Sequence, residues 1–348
     1  MAPWLFECFE IARQAKYSKV SSIRTRASAL SGDSRFVSII IPCKNIDDYT
    51  KQCVDYCKKL DYEDFEILLL PDDASEKIDG VRVIATGHVS PGRKRNIGIA
   101  SANRDFCAFI DSDAYPRVDW LSNAVKYFDD PQIAAVGGPG LTPEEDCAMQ
   151  RASGHVLSSF MVGDLSSRYK AERSFASDDI HSCNFIARKT VLKEVGGWNE
   201  KYWPGEDTLI CLAMKKLGKK LVEASDVVVY HHRKPLFRKH LKQIAMFGLH
   251  RGFFAKRFQG NSFKLTYLIP SLLVLSLFTG VLTSFINPLL ANALLLAMSL
   301  YLILGLIATL SEVRNVGLIL PVWFGITATH IVYGASFLVG LMKRNLKR

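Results

Sequence analysis

Apolar residues along this chain of 348 residues fall into two regimes: short runs before residue 231, and long uncharged stretches after residue 264. In the first regime RFVSIIIPCKN, DFEILLLPDD, VRVIAT and DFCAFIDSD are continuous apolar runs that stop at polar residues. Runs of that kind are strands buried on both faces of a parallel sheet. Asp47 to Leu60 and GRKRNIGIASANR suit helices between them. The β-α-β-β-α-β order over 35–115 predicts an α/β fold, an open and mostly parallel sheet with helices on both faces. Residues 137–230 are less regular. GGPG at 137–140 marks a turn, followed later by a strand, a short helix, a Gly/Trp loop, a helix from near Glu206 and one or two strands in KKLVEASDVVVYHH.

The second regime has another period. From Leu265 to Leu310 there is no Asp, Glu, Lys, Arg or His, and from Val316 to Met342 only His330. A helix of about 20 apolar residues spans the roughly 30 Å hydrocarbon layer. The pattern predicts three transmembrane helices, about 265–286, 288–310 and 316–342, the first two separated near SFINP at Ser284–Pro288. Residues 1–34 are not a secretory signal, because Glu7 and Glu10 interrupt the apolar segment and no basic stretch precedes it. Trp4, Leu5, Phe9 and Ile11 there predict an amphipathic helix lying on a membrane or on its own domain.

The division expected is therefore 1–34, an α/β domain at 35–230, a basic segment at 231–264, membrane helices at 265–342 and a basic tail at 343–348. The formal charge is +10, from 44 basic and 34 acidic residues, so an anionic partner fits. Residues 231–264 hold nine Lys/Arg and no Asp or Glu. Such a run is drawn to anionic lipids at about 1 kcal/mol per basic residue near the surface, or grips acceptor phosphates, for which Arg251 and Arg233 are candidates. It also satisfies the positive-inside rule, which puts the α/β domain on the cytoplasmic side of the cell membrane. Three spans then place the terminal KRNLKR outside, against that bias. The eight cysteines form no C-x-x-C pair, so free thiols in a reducing compartment are expected and zinc is not. Nucleic acid is not an expected partner.

Ligands of open α/β sheets bind outside the carboxyl ends of the strands. Pro42 and Asn45, Asp72 and Asp73, and Asp111 and Asp113 all follow expected strands there. Asp-x-Asp after a strand can present carboxylates to Mg²⁺ or Mn²⁺, hard cations that also take diphosphate oxygens. Asp113 is the first candidate ligand, with Asp111 sharing the cation or touching a ribose. Asp72 and Asp73 can accept hydrogen bonds from a nucleobase or ribose. Arg93, Lys94, Arg95 and Asn96 open a helix, where backbone N–H groups and cations favour phosphate, or form a solvated basic start. Glu206 and Asp207 open another helix, as dipole-complementing caps or as a general base for an acceptor hydroxyl. Trp198 and Trp203 can stack on a sugar ring or pack in the core.

VSIIIPCKN at 37–45, PDDAS at 71–75, GRKRNIGIASANRDFCAFIDSDAYP at 92–116, CNFIARKTVLKEVGGWNEKYWPGEDTLI at 183–210 and VVYHH at 228–232 stand in the order of family 2 glycosyltransferases. The chain resembles that family over 37 to about 250. The resemblance implies the GT-A fold, a Rossmann-like open mixed sheet, and an inverting sugar transfer from a UDP- or GDP-linked donor with Mg²⁺ or Mn²⁺. It implies Asp207 as general base, Asp73 on nucleobase or ribose, Asp113 on the metal, and His231 completing the metal site. LKQIAMFGLHRG at 241–252 and HIVYGASFLVGLM at 330–342 resemble membrane-anchored transferases that build exopolysaccharides or glycans on polyprenyl carriers. The run from Gln243, QIAMF, departs from the Q-x-x-R-W of processive synthases. A polyprenyl-phosphate sugar synthase is the alternative within the class, since a phosphate acceptor needs no base. A non-catalytic scaffold or transporter is disfavoured, because every expected acidic position is filled and the spans hold no acidic relay.

Overall fold

A computed structural model describes residues 35–73, 76–162, 168–172 and 174–346; the helix expected in 1–34 lies outside the described residues. The chain packs as two units, one running to Leu141 and resuming at Ala171–His231, the other made of Thr142–Lys170 and His232–Arg348.

The first unit opens with β1 (Val37–Pro42), α1 (Asp48–Cys57), β2 (Phe65–Leu70), β3 (Arg82–Val83), α2 (Pro91–Ser101) and β4 (Phe106–Phe109). Asp47 caps α1 by accepting from the Thr50 backbone N–H at 2.9 Å. Ser90 caps α2 in the same way, ahead of Pro91, whose missing N–H costs nothing at a helix start. Next come β5 (Ala114–Pro116), α3 (Trp120–Lys126), β6 (Ile133–Gly137) and β7 (Gly140–Leu141). After α4 (Ala148–Ser158), which belongs to the second unit, follow β8 (Phe175–Ser177), β9 (Phe185–Arg188), α5 (Lys189–Glu194), α6 (Glu206–Lys216), β10 (Lys220–Glu223) and β11 (Val229–His231).

The main sheet has the order β3-β2-β1-β4-β9-β6-β10-β8. β3, β2, β1 and β4 are mutually parallel, so their carboxyl ends share one edge. β9 runs antiparallel between β4 and β6, which makes the sheet mixed. A second sheet, β5-β11-β7, pairs His231 with Ala114. One face of the main sheet buries Ile39, Ile41, Val54 and Trp120; the other buries Ile40, Leu68, Phe109, Phe185, Trp198 and Met214. Helix α2 lies so close to this second face that a Cβ at Gly98 would stand 2.6 Å from Ile40 Cγ2. Six of the seven described cysteines are buried and free, as expected, whereas Cys147 is exposed.

The second unit adds α7 (Arg238–Arg257), α8 (Ile269–Ser284), α9 (Pro288–Glu312) and α10 (Val316–Met342) to α4. Three helical stretches, Leu265–Thr283 (which begins just ahead of α8), Pro288–Glu312 and Val316–Met342, are long and apolar enough to cross a membrane. One boundary differs from the expectation: Thr142–Lys170 belong to the second unit. Ala152 and Val156 of α4 are fully buried with Leu236, Ala308, Val322 and Ile326. An apolar face of that kind settles wherever it finds apolar partners, and in this chain those partners come after residue 231.

Candidate active site

β4 ends at Phe109, and two residues later Asp111 leaves the sheet. Asp113 directly precedes β5, and β11 brings His231 opposite Ala114. The register thus sets an imidazole against two carboxylates. Ligand atoms of Asp111, Asp113 and His231 all lie within 4.8 Å of one another, with His231 Nε2 3.2 Å from Asp113 Oδ1. All three side chains are half-buried. Two hard oxygens and one imidazole nitrogen fit a divalent transition ion such as Mn²⁺.

Behind this group stands Arg95, which is 2% exposed. Its Nη2 donates to Asp111 Oδ1 at 2.8 Å and to Ser182 Oγ at 3.0 Å, and its Nη1 donates to Glu206 Oε1 at 2.8 Å. The guanidinium also lies over the Trp198 ring, 4.9 Å from its centroid. Burial pushes the Glu206 carboxyl up to about 7 against the pull of Arg95, with Asp207 adding to the rise. Glu206 and Asp207 form the first turn of α6, after Gly205 at φ +114°, a backbone conformation that favours glycine. Glu206 faces inward to Arg95, whereas Asp207 is half-buried and accepts from the Thr208 N–H at 2.8 Å.

At the ends of β1 and β2 a second set forms. Lys94 is buried, and its Nζ donates to Cys43 O at 2.7 Å, Leu70 O at 3.3 Å and Asp72 Oδ1 at 2.5 Å. Asp72 Oδ2 meets Nδ1 of His88 at 2.6 Å, and His88 is exposed. The bond from Lys94, helped by His88, holds the Asp72 carboxyl below its usual range. Asn45 and Asp73 are exposed beside this set, and Pro42 closes β1.

Several expected positions turn out otherwise. The basic start of α2 is not a row of phosphate donors. Arg95 is fixed inside between carboxylates, and Asn96 holds the Gly/Trp loop by accepting from the Trp198 N–H and donating to Trp198 O and Glu200. Arg93 alone of the four is exposed, pairing with Glu200 at 3.2 Å. Trp198, 2% exposed, packs edge-on against Phe109 and Phe185 and offers no sugar platform, whereas Trp203 is 48% exposed. Arg233 and Arg251 belong to the second unit. There Arg233 is buried over the Tyr169 ring with Nε on Thr142 Oγ1 at 3.1 Å, and Arg251 lies over the Tyr267 ring. Ser182 and His88 stand outside the quoted motifs, and Glu200, though inside the run at 183–210, carried no signal of its own there. Lys94 had one, a lysine two residues beyond Pro-Gly at a helix start, but not its burial.

Residues 38–196 match the family model described as glycosyl transferase family 2. Over 335 residues the chain is 24% identical to a dolichyl N-acetyl-alpha-D-glucosaminyl phosphate 3-beta-D-2,3-diacetamido-2,3-dideoxy-beta-D-glucuronosyltransferase of Methanococcus voltae, covering 89% of this chain and 98% of that protein. It is 25% identical over 230 residues to a pre-mycofactocin glycosyltransferase of Mycobacterium tuberculosis, covering 63% of this chain and 47% of that one. Among solved structures, a mannosyltransferase from Pyrobaculum calidifontis in complex with GDP-Man and Mn²⁺ superposes with a TM-score of 0.52 at 16% identity, covering 93% of this chain and 94% of that one. That likeness is one of fold, the GT-A fold.

Proposed function

Since this chain belongs to glycosyl transferase family 2 through residues 38–196 and is a glycosyltransferase, we propose that it moves a sugar, with inversion, from a nucleotide-diphosphate sugar to a lipid-linked acceptor at the cytoplasmic face of a membrane. The observation that carries this reading is the convergence of Asp111, Asp113 and His231 beside the carboxyl ends of the parallel strands. These three residues would hold Mn²⁺ or Mg²⁺, and the imidazole among them favours Mn²⁺. When bound, the ion offsets the charge of the diphosphate and of the departing nucleotide.

The chain's own residues do the rest. Asp73 receives hydrogen bonds from the nucleobase or ribose, and Asp72, fixed by Lys94, shapes the same wall. Asp207 takes the proton from the acceptor hydroxyl as that oxygen attacks the sugar. Glu206 reaches no substrate; through Arg95 it orients Asp111. Trp203, exposed before α6, offers the apolar face for the acceptor sugar. Arg251, half-buried in α7, would supply positive charge toward the lipid phosphate, whereas Arg233 is buried against Tyr169. End-to-end alignment with a transferase named for a dolichyl-phosphate-linked acceptor supports a lipid-linked acceptor, as do three apolar helices. The nine Lys/Arg of 231–264 support the cytoplasmic side.

Thermal unfolding of the detergent-purified chain with UDP, GDP and their sugars, with Mn²⁺ or EDTA, tests this. A nucleotide present at about 100 times its dissociation constant stabilises the folded chain by about 2.7 kcal/mol. That gain is expected from one nucleotide family, lost with EDTA and in Asp113→Asn. Stabilisation by no nucleotide under any metal condition would sink the proposal. Asp207→Asn is expected to keep nucleotide binding and lose transfer; full transfer by that variant would favour a phosphate acceptor instead.

A further inference from the structure

The three apolar helices are not equivalent. α8 and α9 expose apolar side chains over most of their length, among them Leu275, Phe278, Leu282, Leu296, Leu300 and Ile303. α10 instead buries ten residues, at short intervals from Leu318 to Gly340. Its neighbour along most of that length is α7. Leu236, just before α7, packs on Gly325, and His240 Nε2 meets Thr329 Oγ1 at 2.9 Å. Further along, a Cβ at Gly248 would stand 2.6 Å from Tyr333 O, and one at Gly252 2.1 Å from Phe337 O. At the far end Lys256 Nζ donates to Leu341 O at 2.7 Å and to Lys343 O at 2.5 Å. The two helices run parallel, side by side, for the whole of α7, about 30 Å at 1.5 Å per residue.

α7 cannot lie in hydrocarbon. It carries Arg238, Lys239, Lys242, Arg251, Lys256 and Arg257 from end to end, and its sequence contains no Asp or Glu. Whatever depth α7 takes, the last two-thirds of α10 takes with it. A second relation agrees. α8 begins against Gly334, two-thirds of the way along α10, where Ser271 Oγ donates to Gly334 O at 3.2 Å and a Cβ on Gly334 would stand 2.2 Å from Pro270 O. The first turn of a span lies at the membrane surface, so that part of α10 lies there too. The first part of α10 is flanked by α4, whose Val156 meets Gly325 and whose Ser153 bonds His240 Nδ1 at 2.8 Å. What α10 leaves exposed is a narrow stripe, Val316, Leu320, Phe324, Ile331, Val339 and Met342, at helical spacing.

We infer that only α8 and α9 cross the membrane, as a hairpin turning at Phe285–Asn287, and that α10 lies in the headgroup plane beside α7 with its apolar stripe against the lipid. The chain end then returns to the side on which α8 begins. Lys343 and Arg344 join the basic residues of 231–264 on one face, which removes the charge conflict that a third crossing creates. This topology does not depend on donor or acceptor identity.

Sidedness labelling of the full chain in sealed vesicles tests it, using a membrane-impermeant maleimide. In a background carrying Cys8→Ser and Cys147→Ser, single cysteines are introduced as Lys264→Cys before α8, Ile286→Cys in the turn and Asn345→Cys after α10. Asn345→Cys is expected to label from the same side as Lys264→Cys, and Ile286→Cys only from the other side. Labelling of Asn345→Cys together with Ile286→Cys would overturn the inference, as would labelling of all three from one side. Protease access to a C-terminal epitope tag on the otherwise unaltered chain reads the same sidedness without a cysteine change: cleavage from the side of Lys264 upholds the inference, and protection on that side overturns it.

Discussion

Arg95 and Asp111 are joined by one hydrogen bond of 2.8 Å, and the opposite edge of the same guanidinium is held at the same distance by Glu206. The aspartate that faces the candidate metal is therefore oriented from inside the core, by a cation that burial has removed from water. Breaking a buried pair by deleting one partner costs about 3–5 kcal/mol, because the other charge is left without compensation. Arg95→Met should lower the thermal midpoint sharply. Adding Glu206→Leu should recover part of the loss, since a buried pair replaced by apolar groups is close to neutral. A double variant no more stable than Arg95→Met would show that the pair does not carry the effect.

The two aspartates of the Asp-x-Asp run should separate by what stands behind them. Asp113→Asn removes a metal donor that meets His231, and should weaken Mn²⁺ binding more than the 10–100-fold typical of an outer partner. Its metal-free stability should stay within about 1 kcal/mol of wild type. Asp111→Asn should weaken Mn²⁺ and lower metal-free stability as well, since Arg95 loses an anionic partner. Calorimetric Mn²⁺ titration beside thermal melts in EDTA reads both; equal melts would refute the distinction.

Lys94→Met should act on the nucleotide and spare the metal. It leaves two strand-end carbonyls and the buried Asp72 carboxylate short of a donor, at about 1–3 kcal/mol. The variant should bind UDP or GDP more weakly while its Mn²⁺ affinity in the absence of nucleotide is unchanged. A matching drop in both affinities would assign Lys94 to general stability.

His240 predicts an acid-sensitive second unit. Burial pushes its imidazole down to about 4 from an ordinary 6.5, and both ring nitrogens meet hydroxyls, of Ser153 and Thr329. The folded state then binds fewer protons than the unfolded one between those values. The contribution is whole above pH 6.5 and is lost as pH falls toward 4, by about 3 kcal/mol at 1.36 kcal/mol per unit. The melting temperature of His240→Gln should fall less than that of wild type between pH 7 and pH 4.5. Parallel curves would count against the assignment.

How far the sequence could be read depended on the range of the interaction concerned. β1, β2 and β4 were legible because apolar runs ending in Pro42, Asp72 and Asp111 are local signals. The parallel order then carried the polar clusters to one edge without further information. The fates of Arg95 and Trp198 were not legible. Each has a partner far off in the chain, Glu206 at 111 residues for Arg95 and Phe109 for Trp198, and an Arg-Lys-Arg run reads the same whether it faces water or carboxylates. The allegiance of α4 was hidden for the same reason, since an amphipathic face does not name the surface that covers it.

The residues paired across the candidate metal group stand 118 positions apart, and the segment 142–170, which packs elsewhere, interrupts the chain between them. Closing a loop of that length carries an entropic cost of about 4 kcal/mol before any contact compensates for it. During synthesis the group cannot assemble until β11 has left the ribosome, however early the first four strands pair. A growing chain shorter than residue 231 thus has the first four strands but lacks His231, the third member of the candidate metal group.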